Sequence, residues 1–171
     1  AGVKGSSNHP KGRVRAAKVL GGWIGDDSEC ARLFLDSLQP TAATMDEVDE
    51  LRDSTENPRA AWAMYRLGRV CASVKPIFAT SLMPPQVTVK PAFVFDTRMC
   101  ASFDTWIRTA DTAMPERVKA ARMQAFIQER HGGFGYTPVA RTAEARFAGT
   151  TVKYLSVAQR LVPSLARVSL A

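Results

Sequence analysis

The sequence has few of the residues from which enzymes and metalloproteins build their sites. It contains two histidines, His9 and His131, and three widely spaced cysteines, Cys30, Cys71 and Cys100. No HExxH, GxSxG or GxxxxGK[ST] motif occurs, and no pair of cysteines has the spacing of a zinc site. These absences argue against the common hydrolases, zinc proteins and phosphate-loop proteins. We therefore expect no enzymatic activity, no metal ion and no cofactor.

Two further features concern the surroundings of the protein. No apolar run approaches the ~20 residues that a membrane-spanning helix needs, so we expect no membrane partner. The cysteines are odd in number, and each lies in an apolar pattern with helical spacing. We therefore expect buried, reduced thiols in a cytosol-like compartment.

Acidic residues are absent from residues 1–22, and this absence is part of a wider sorting of charge. Residues 1–22 carry a formal charge of +5, residues 23–57 carry −8 and residues 58–171 carry +10, within a net charge of +7. A basic face attracts polyanions, whereas an acidic face on the same chain can bind the basic face of an identical neighbour. The distribution indicates a macromolecular partner rather than a reaction.

Hydrophobic periodicity predicts a mainly α-helical protein with a single domain of about six helices. Capping residues, prolines and glycines set the expected bounds of these helices. The helices are expected at 27–38, ending before Pro40; from Thr44 through an acidic segment; from Pro58 to 75; from 96 or 97 to about 110; from Pro115 to Arg130; and from 138 to Pro163, with a weak point at Gly149.

Three segments are expected to be non-helical. Residues 1–22 are predicted to form a basic, flexible arm that leads into a helical core domain at 23–163. Pro84 and Pro85, followed by the alternation of Val87 and Val89 with polar residues, predict a short extended segment or hairpin near 86–95. Residues 164–171 form an apolar and basic tail.

Four cations recur at intervals of seven residues: Arg146, Lys153, Arg160 and Arg167. On a continuous helix they would lie along one edge, about 10 Å apart, where they could follow a chain of phosphates. A solvated face without a ligand and a genomic bias towards arginine are the alternative explanations. The same basic region is expected to include further cations, namely Arg108, Arg117, Lys119, Arg122, Arg130 and Arg141.

A glycine-rich loop between two basic helices carries two aromatic residues, Phe134 and Tyr136. If exposed, such rings can stack on unpaired bases without reading their sequence. The alternative is that the rings fold back into the core and anchor the loop.

Together these patterns predict a structural protein that binds RNA or single-stranded nucleic acid through the backbone, without sequence preference. It would self-assemble and coat the strand, as a viral coat or nucleocapsid protein does. The expected location is a virion or the cytoplasm, the expected partners are nucleic acid and further copies of the chain, and no small-molecule substrate is expected.

Two other classes of function remain open. The first is an accessory RNA-binding subunit of a large ribonucleoprotein or organellar complex. The second is a small enzyme whose site combines residues that no motif connects, such as Tyr65, Asp104, Arg108 and His131.

Overall fold

The computed structural model describes residues 15–53, 58–72, 74–107 and 114–161. This part of the chain is mainly helical with one small hairpin, which confirms the predicted fold class. The elements are β1 (Ala16–Val19), β2 (Gly22–Gly25), α1 (Asp27–Asp53), α2 (Pro58–Leu67), a π-helical turn (Gly68–Ala72), α3 (Val74–Leu82), α4 (Pro85–Trp106), α5 (Pro115–Phe126), a 3₁₀ turn (Glu129–His131) and α6 (Val139–Leu161). The proposed tail at 164–171 and most of the arm lie outside the described residues.

Helix α4 is the central element, and α1, α2, α3, α5 and α6 all pack against it. Its first residue is Pro85, where the fixed φ of proline suits a helix and the missing N–H costs no hydrogen bond. The buried face extends from Val87 through Phe95 and Met99 to Trp106. Packing along the whole length of α4 places the core around this helix.

The extended segment predicted at 86–95 is wrong, because these residues belong to α4. Val87 and Val89 suggested a period of two, yet Val87, Pro91 and Phe95 are buried together at a helical spacing of four. Pro91 costs one backbone hydrogen bond inside the helix. Burial of the flanking apolar residues offsets that cost.

The hairpin of this protein lies instead at its N-terminal side, where it spans the predicted boundary at residue 22 between the arm and the core domain. Ala16 pairs with Gly25 and Val19 with Gly22 in an antiparallel register. Gly21 has a φ of +90° in the connecting turn, which glycine adopts without steric cost. Residues 15–22 are therefore structured, and β2 packs against α1.

Helix α1 joins the two short helices predicted on either side of Pro40. Its first turn is capped by Asp26, whose Oδ1 accepts a hydrogen bond from the amide of Glu29 at 3.0 Å. The buried residues Phe34, Leu38 and Met45 keep helical spacing across the proline. The continuous contact with α4 therefore outweighs the break that Pro40 would cause in an isolated helix.

A polar network joins α1 to α4. The carboxylate of Asp49 accepts hydrogen bonds from the indole N–H of Trp106 at 2.7 Å, the hydroxyl of Ser102 at 2.9 Å and the guanidinium of Arg98 at 2.8 Å. The buried Arg52 donates to the backbone carbonyl of Trp106 at 3.1 Å. The network fixes the C-terminal end of α4 against α1.

The helix predicted from Pro58 to 75 begins at Pro58 as expected, but α2 ends at Leu67. After α2 the backbone widens into the π-helical turn, and α3 then runs through Pro76. Pro76 is the third residue of α3, where its N–H would have no partner within the helix. Pro76, which the sequence pattern predicted to end a helix, therefore lies in the first turn of one.

Helix α5 begins at Pro115 as predicted but ends at Phe126 rather than Arg130. Met123 and Ile127 on this segment are both exposed, whereas Ala125 is buried. The chain turns back after Ile127 because the amide of Phe134 donates to the carbonyl of Gln124 at 3.0 Å. None of the described helices is both long and apolar enough to cross a membrane.

Candidate nucleic-acid interface

The position of α6 is fixed by a side chain from the middle of α4. The two carboxylate oxygens of Asp96 accept hydrogen bonds from the amides of Val139 at 2.9 Å and Ala140 at 2.8 Å. These are two of the amides that a helix start leaves without intrahelical acceptors. Burial raises the pKa of Asp96, and the two amide donors oppose this rise by stabilising the carboxylate. Asp96, where the sequence predicted a helix start at 96 or 97, lies instead inside α4 and caps a different helix.

Helix α6 is continuous from Val139 to Leu161 and passes through Gly149. The predicted weak point therefore does not interrupt it. Because the helix is unbroken, Arg146, Lys153 and Arg160 lie along one edge at intervals of about 10 Å, with a drift of about 20° at each step. We refer to these three residues as the α6 edge. Arg167, the fourth member of the predicted series, lies outside the described residues.

The α6 edge makes no ion pair within the part of the chain that the structure describes. Lys153 and Arg160 are exposed, and Arg146 is half-buried with its Nε donating to the hydroxyl of Thr142 at 2.9 Å. This bond orients the Arg146 side chain and leaves its two terminal nitrogens for a ligand. The edge is a row of charges without neutralising carboxylates.

The remaining predicted cations do not extend this edge as a group. Arg141 is on α6 but five residues before Arg146, which places it about 140° around the helix. On α5, Arg122 forms an ion pair with Asp104. The hydrogen bond to Asp104 raises the pKa of the guanidinium, and the carboxylate neutralises its charge. Arg117 and Lys119 are exposed and lie on different sides of that helix. Arg130 is exposed in the 3₁₀ turn, and Arg108 lies outside the described residues.

The loop aromatics Phe134 and Tyr136 pack into the core. The ring of Phe134 meets Tyr65 and Phe103 edge to face, at centroid distances of 5.1 Å and 5.2 Å. Tyr136 is buried and lies 5.9 Å from the ring of Phe126. Both rings therefore anchor the loop, which is the second of the two predicted arrangements, and they lie outside the α6 edge.

Other aromatic residues are exposed and were not predicted as site residues, namely Trp62, Phe78, Phe93 and Tyr154. Tyr154 has a relative exposure of 59%, and it follows Lys153 directly. Trp62 on α2 has a relative exposure of 60%, and the guanidinium of Arg66 lies 4.9 Å from the centre of its ring. The spacing of Trp62 and Arg66, one helical turn apart, was visible in the sequence, but their exposure was not.

Part of the acidic block is neutralised within the chain. Arg98 bridges Asp46 and Asp49, and Arg32 bridges Glu29 and Asp36. Two carboxylates on the outward side of α1, Glu47 and Glu50, are exposed and have no ion pair among the described residues. The acidic segment therefore contacts its own chain through one side of α1 and offers the other side to solvent.

Three of the four residues of the alternative enzyme site are described, and Arg108 lies outside the described residues. Asp104 pairs with Arg122, Tyr65 is buried against Phe134, and His131 is exposed in the 3₁₀ turn. No cluster of three or more metal-ligating side chains occurs among residues with a described position.

No protein-family model matches this chain, and neither the curated proteins nor the solved structures contain a match.

Proposed function

We propose that this protein binds single-stranded nucleic acid, in particular RNA, through the α6 edge, and that copies of it assemble along the strand as a coat. The observation that supports this proposal is the unbroken α6 helix, on which Arg146, Lys153 and Arg160 form a regular row without carboxylate partners in the described part of the chain. A row of this kind binds phosphates by releasing their counterions, and it reads no base sequence.

Tyr154 supplies the aromatic component that Phe134 and Tyr136 do not. Its ring lies about 100° around α6 from Lys153, and so borders the α6 edge. An exposed ring beside a row of cations can stack on an unpaired base while the cations hold the phosphates. We propose this role for Tyr154.

The assembly component rests on the exposed surface of α6 and α1. Val157 and Leu161 are exposed on the same side of α6 as Tyr154, at spacings of three and seven residues. On α1, Glu47 and Glu50 are exposed as a carboxylate pair. In a contact between unlike faces of two copies, the carboxylates of one copy would pair with cations of the next, and the apolar strip would be buried beside them. Such a contact produces rings or filaments.

The test of nucleic-acid binding is the salt dependence of the affinity for an unstructured RNA, measured by fluorescence anisotropy. Removal of three phosphate contacts with a single strand reduces the magnitude of the negative slope of log K against log salt by about 2. We expect this change for the triple variant Arg146→Gln, Lys153→Gln, Arg160→Gln. The matched control neutralises Lys18, Arg66 and Lys90, which alters the net charge equally but leaves the α6 edge intact.

An equal loss in both triple variants would show that net charge alone drives binding, and the α6 edge would have no special role. Thermal unfolding of both variants should remain close to that of the parent protein, because exposed substitutions change stability by about 0.5 kcal/mol or less, and the half-buried Arg146 loses one hydrogen bond to Thr142. Electron microscopy of the protein with RNA tests assembly. A protein that binds RNA yet stays monomeric would instead indicate the accessory-subunit alternative.

A further inference from the structure

A cavity of about 320 Å³ lies between α1, the π-helical turn and the start of α3. Apolar side chains form most of its wall, including Met45, Val48, Leu67 and Trp106. Its volume lies at the lower end of the ~300–1,000 Å³ range of small-molecule sites. The α6 edge contributes no residue to this cavity, so the two sites can be tested separately.

The cavity depends on the irregular backbone at Gly68. A side-chain carbon at Gly68 would clash with the indole of Trp106, so glycine is needed for the π-helical turn to approach that ring. The π-helical turn also places Cys71 and Ala72 on the cavity wall. Single π-helical turns inside helices are frequent at functional sites.

The polar groups of the cavity are few and carry one sign of charge. Lys75 lines it and is exposed, and the described lining residues include no aspartate or glutamate. Thr41 and Thr44 add hydroxyl groups, and the hydroxyl of Thr44 already donates to the carbonyl of Pro40 at 3.0 Å. The wall therefore suits a long apolar body, and the ammonium suits one anionic group.

We propose that this cavity binds a free, single-chain anionic amphiphile, such as a medium-chain fatty acid. Its carboxylate pairs with Lys75, and its chain lies against Trp106 and Met45. A nucleobase fits the cavity less well, because its several polar groups would lose hydrogen bonds to water and find few partners on an apolar wall.

Cys71 provides a direct probe of occupancy because its thiol is exposed and lines the cavity. The experiment measures the rate at which N-ethylmaleimide labels each cysteine, mapped by mass spectrometry, while dodecanoate is titrated below its micelle concentration. We expect labelling of Cys71 to slow with saturable dependence on dodecanoate. Cys30 and Cys100 are internal references, since burial raises the pKa of both thiols and both react slowly throughout.

Variants test separately the ion pair with Lys75 and the apolar contact with the cavity wall. Lys75→Gln should weaken dodecanoate binding up to about fivefold, the effect of an exposed ion pair, whereas Lys90→Gln on α4 should leave it unchanged. Ala72→Met should fill the cavity and weaken binding more than tenfold, with Ala101→Met as the exposed control. Thr44→Leu is a second filling variant should Ala72→Met not fold.

Three outcomes would overturn the proposal. Labelling of Cys71 that ignores dodecanoate would show that the cavity does not bind it. Equal protection by dodecyltrimethylammonium would show an unselective apolar surface without a role for Lys75. Protection that rises with protein concentration and needs no dodecanoate would show that a second copy of the chain fills the cavity.

Discussion

Helices α4 and α6 have nearly the same length, 22 and 23 residues, but differ in how they are held. Each contains a residue that weakens an isolated helix, Pro91 in α4 and Gly149 in α6. Nine residues of α4 are buried from one end to the other, whereas two of α6 are buried, Val139 and Ala143. Helix α4 is held along its whole length by packing in the core of its own chain. Helix α6 has its buried residues near its start, and the rest of its length is exposed or half-buried.

The largest expected effect concerns the packing of α4. Trp106 is 1% exposed, and its indole donates to Asp49. Trp106→Ala should therefore lower the free energy of unfolding by about 3–5 kcal/mol, measured by denaturant titration. Trp62→Ala, a change of the same side chain on the exposed side of α2, should cost about 0.5 kcal/mol or less. Equal losses would contradict the position of Trp106 at the centre of the core.

The next effect concerns the link between the two helices. Asp96→Ala leaves the amides of Val139 and Ala140 without their acceptors in a partly buried position, which should cost about 1–3 kcal/mol. Hydrogen exchange should become faster at the start of α6, while the amides of α4 remain protected. Uniform acceleration across both helices would show that Asp96 stabilises the whole fold rather than the docking of α6.

A smaller effect distinguishes two helical glycines. A side-chain carbon at Gly149 would meet no atom within 4 Å, so Gly149→Ala should stabilise the protein by up to about 1 kcal/mol. Gly68→Ala should instead destabilise it, because the same carbon would clash with the ring of Trp106. Thermal unfolding of the two variants checks both signs. A destabilised Gly149→Ala variant would show that α6 bends at that position.

The smallest expected effect is a dependence on pH. Burial raises the pKa of Asp96 in the folded chain, so folding favours the protonated group. Its contribution to stability is therefore fully present below the pKa of an ordinary aspartate and is lost as the pH rises through the higher pKa of the folded state. The stability of the parent protein relative to Asp96→Asn should fall over that interval, as measured by denaturant titration at several pH values. A difference that rises with pH would show that the amide donors outweigh burial.

The mainly helical fold could be predicted from the sequence, because the apolar spacing within each helix is a local property. The starts at Asp27, Pro58, Pro115 and Val139 lie within one residue of the predicted positions. The other bounds could not be predicted, because Pro40, Pro76 and Pro91 have different consequences that depend on distant packing. Pro76 falls in a first turn, whereas Pro40 and Pro91 lie in helices whose neighbouring residues are buried on both sides of the proline. Local sequence does not contain that information.

The candidate interface was predictable to a similar degree. The spacing of Arg146, Lys153 and Arg160 follows directly from the sequence, and the unbroken α6 helix keeps them on one edge. The sequence could not show that Asp104 neutralises Arg122 from 18 residues away, or that Phe134 packs between Tyr65 and Phe103. Such partners are set by tertiary structure.

The contact between Asp96 and α6 has a consequence for the order of folding. The acceptor precedes the amides it binds by more than forty residues, so the final helix has no oriented start until α4 has formed and placed that carboxylate. The α6 edge should therefore be oriented late in folding, when α6 docks on helices that have already formed. A chain that is still folding would then lack an ordered α6 edge. Binding of a nucleic-acid strand would therefore be delayed until folding is complete.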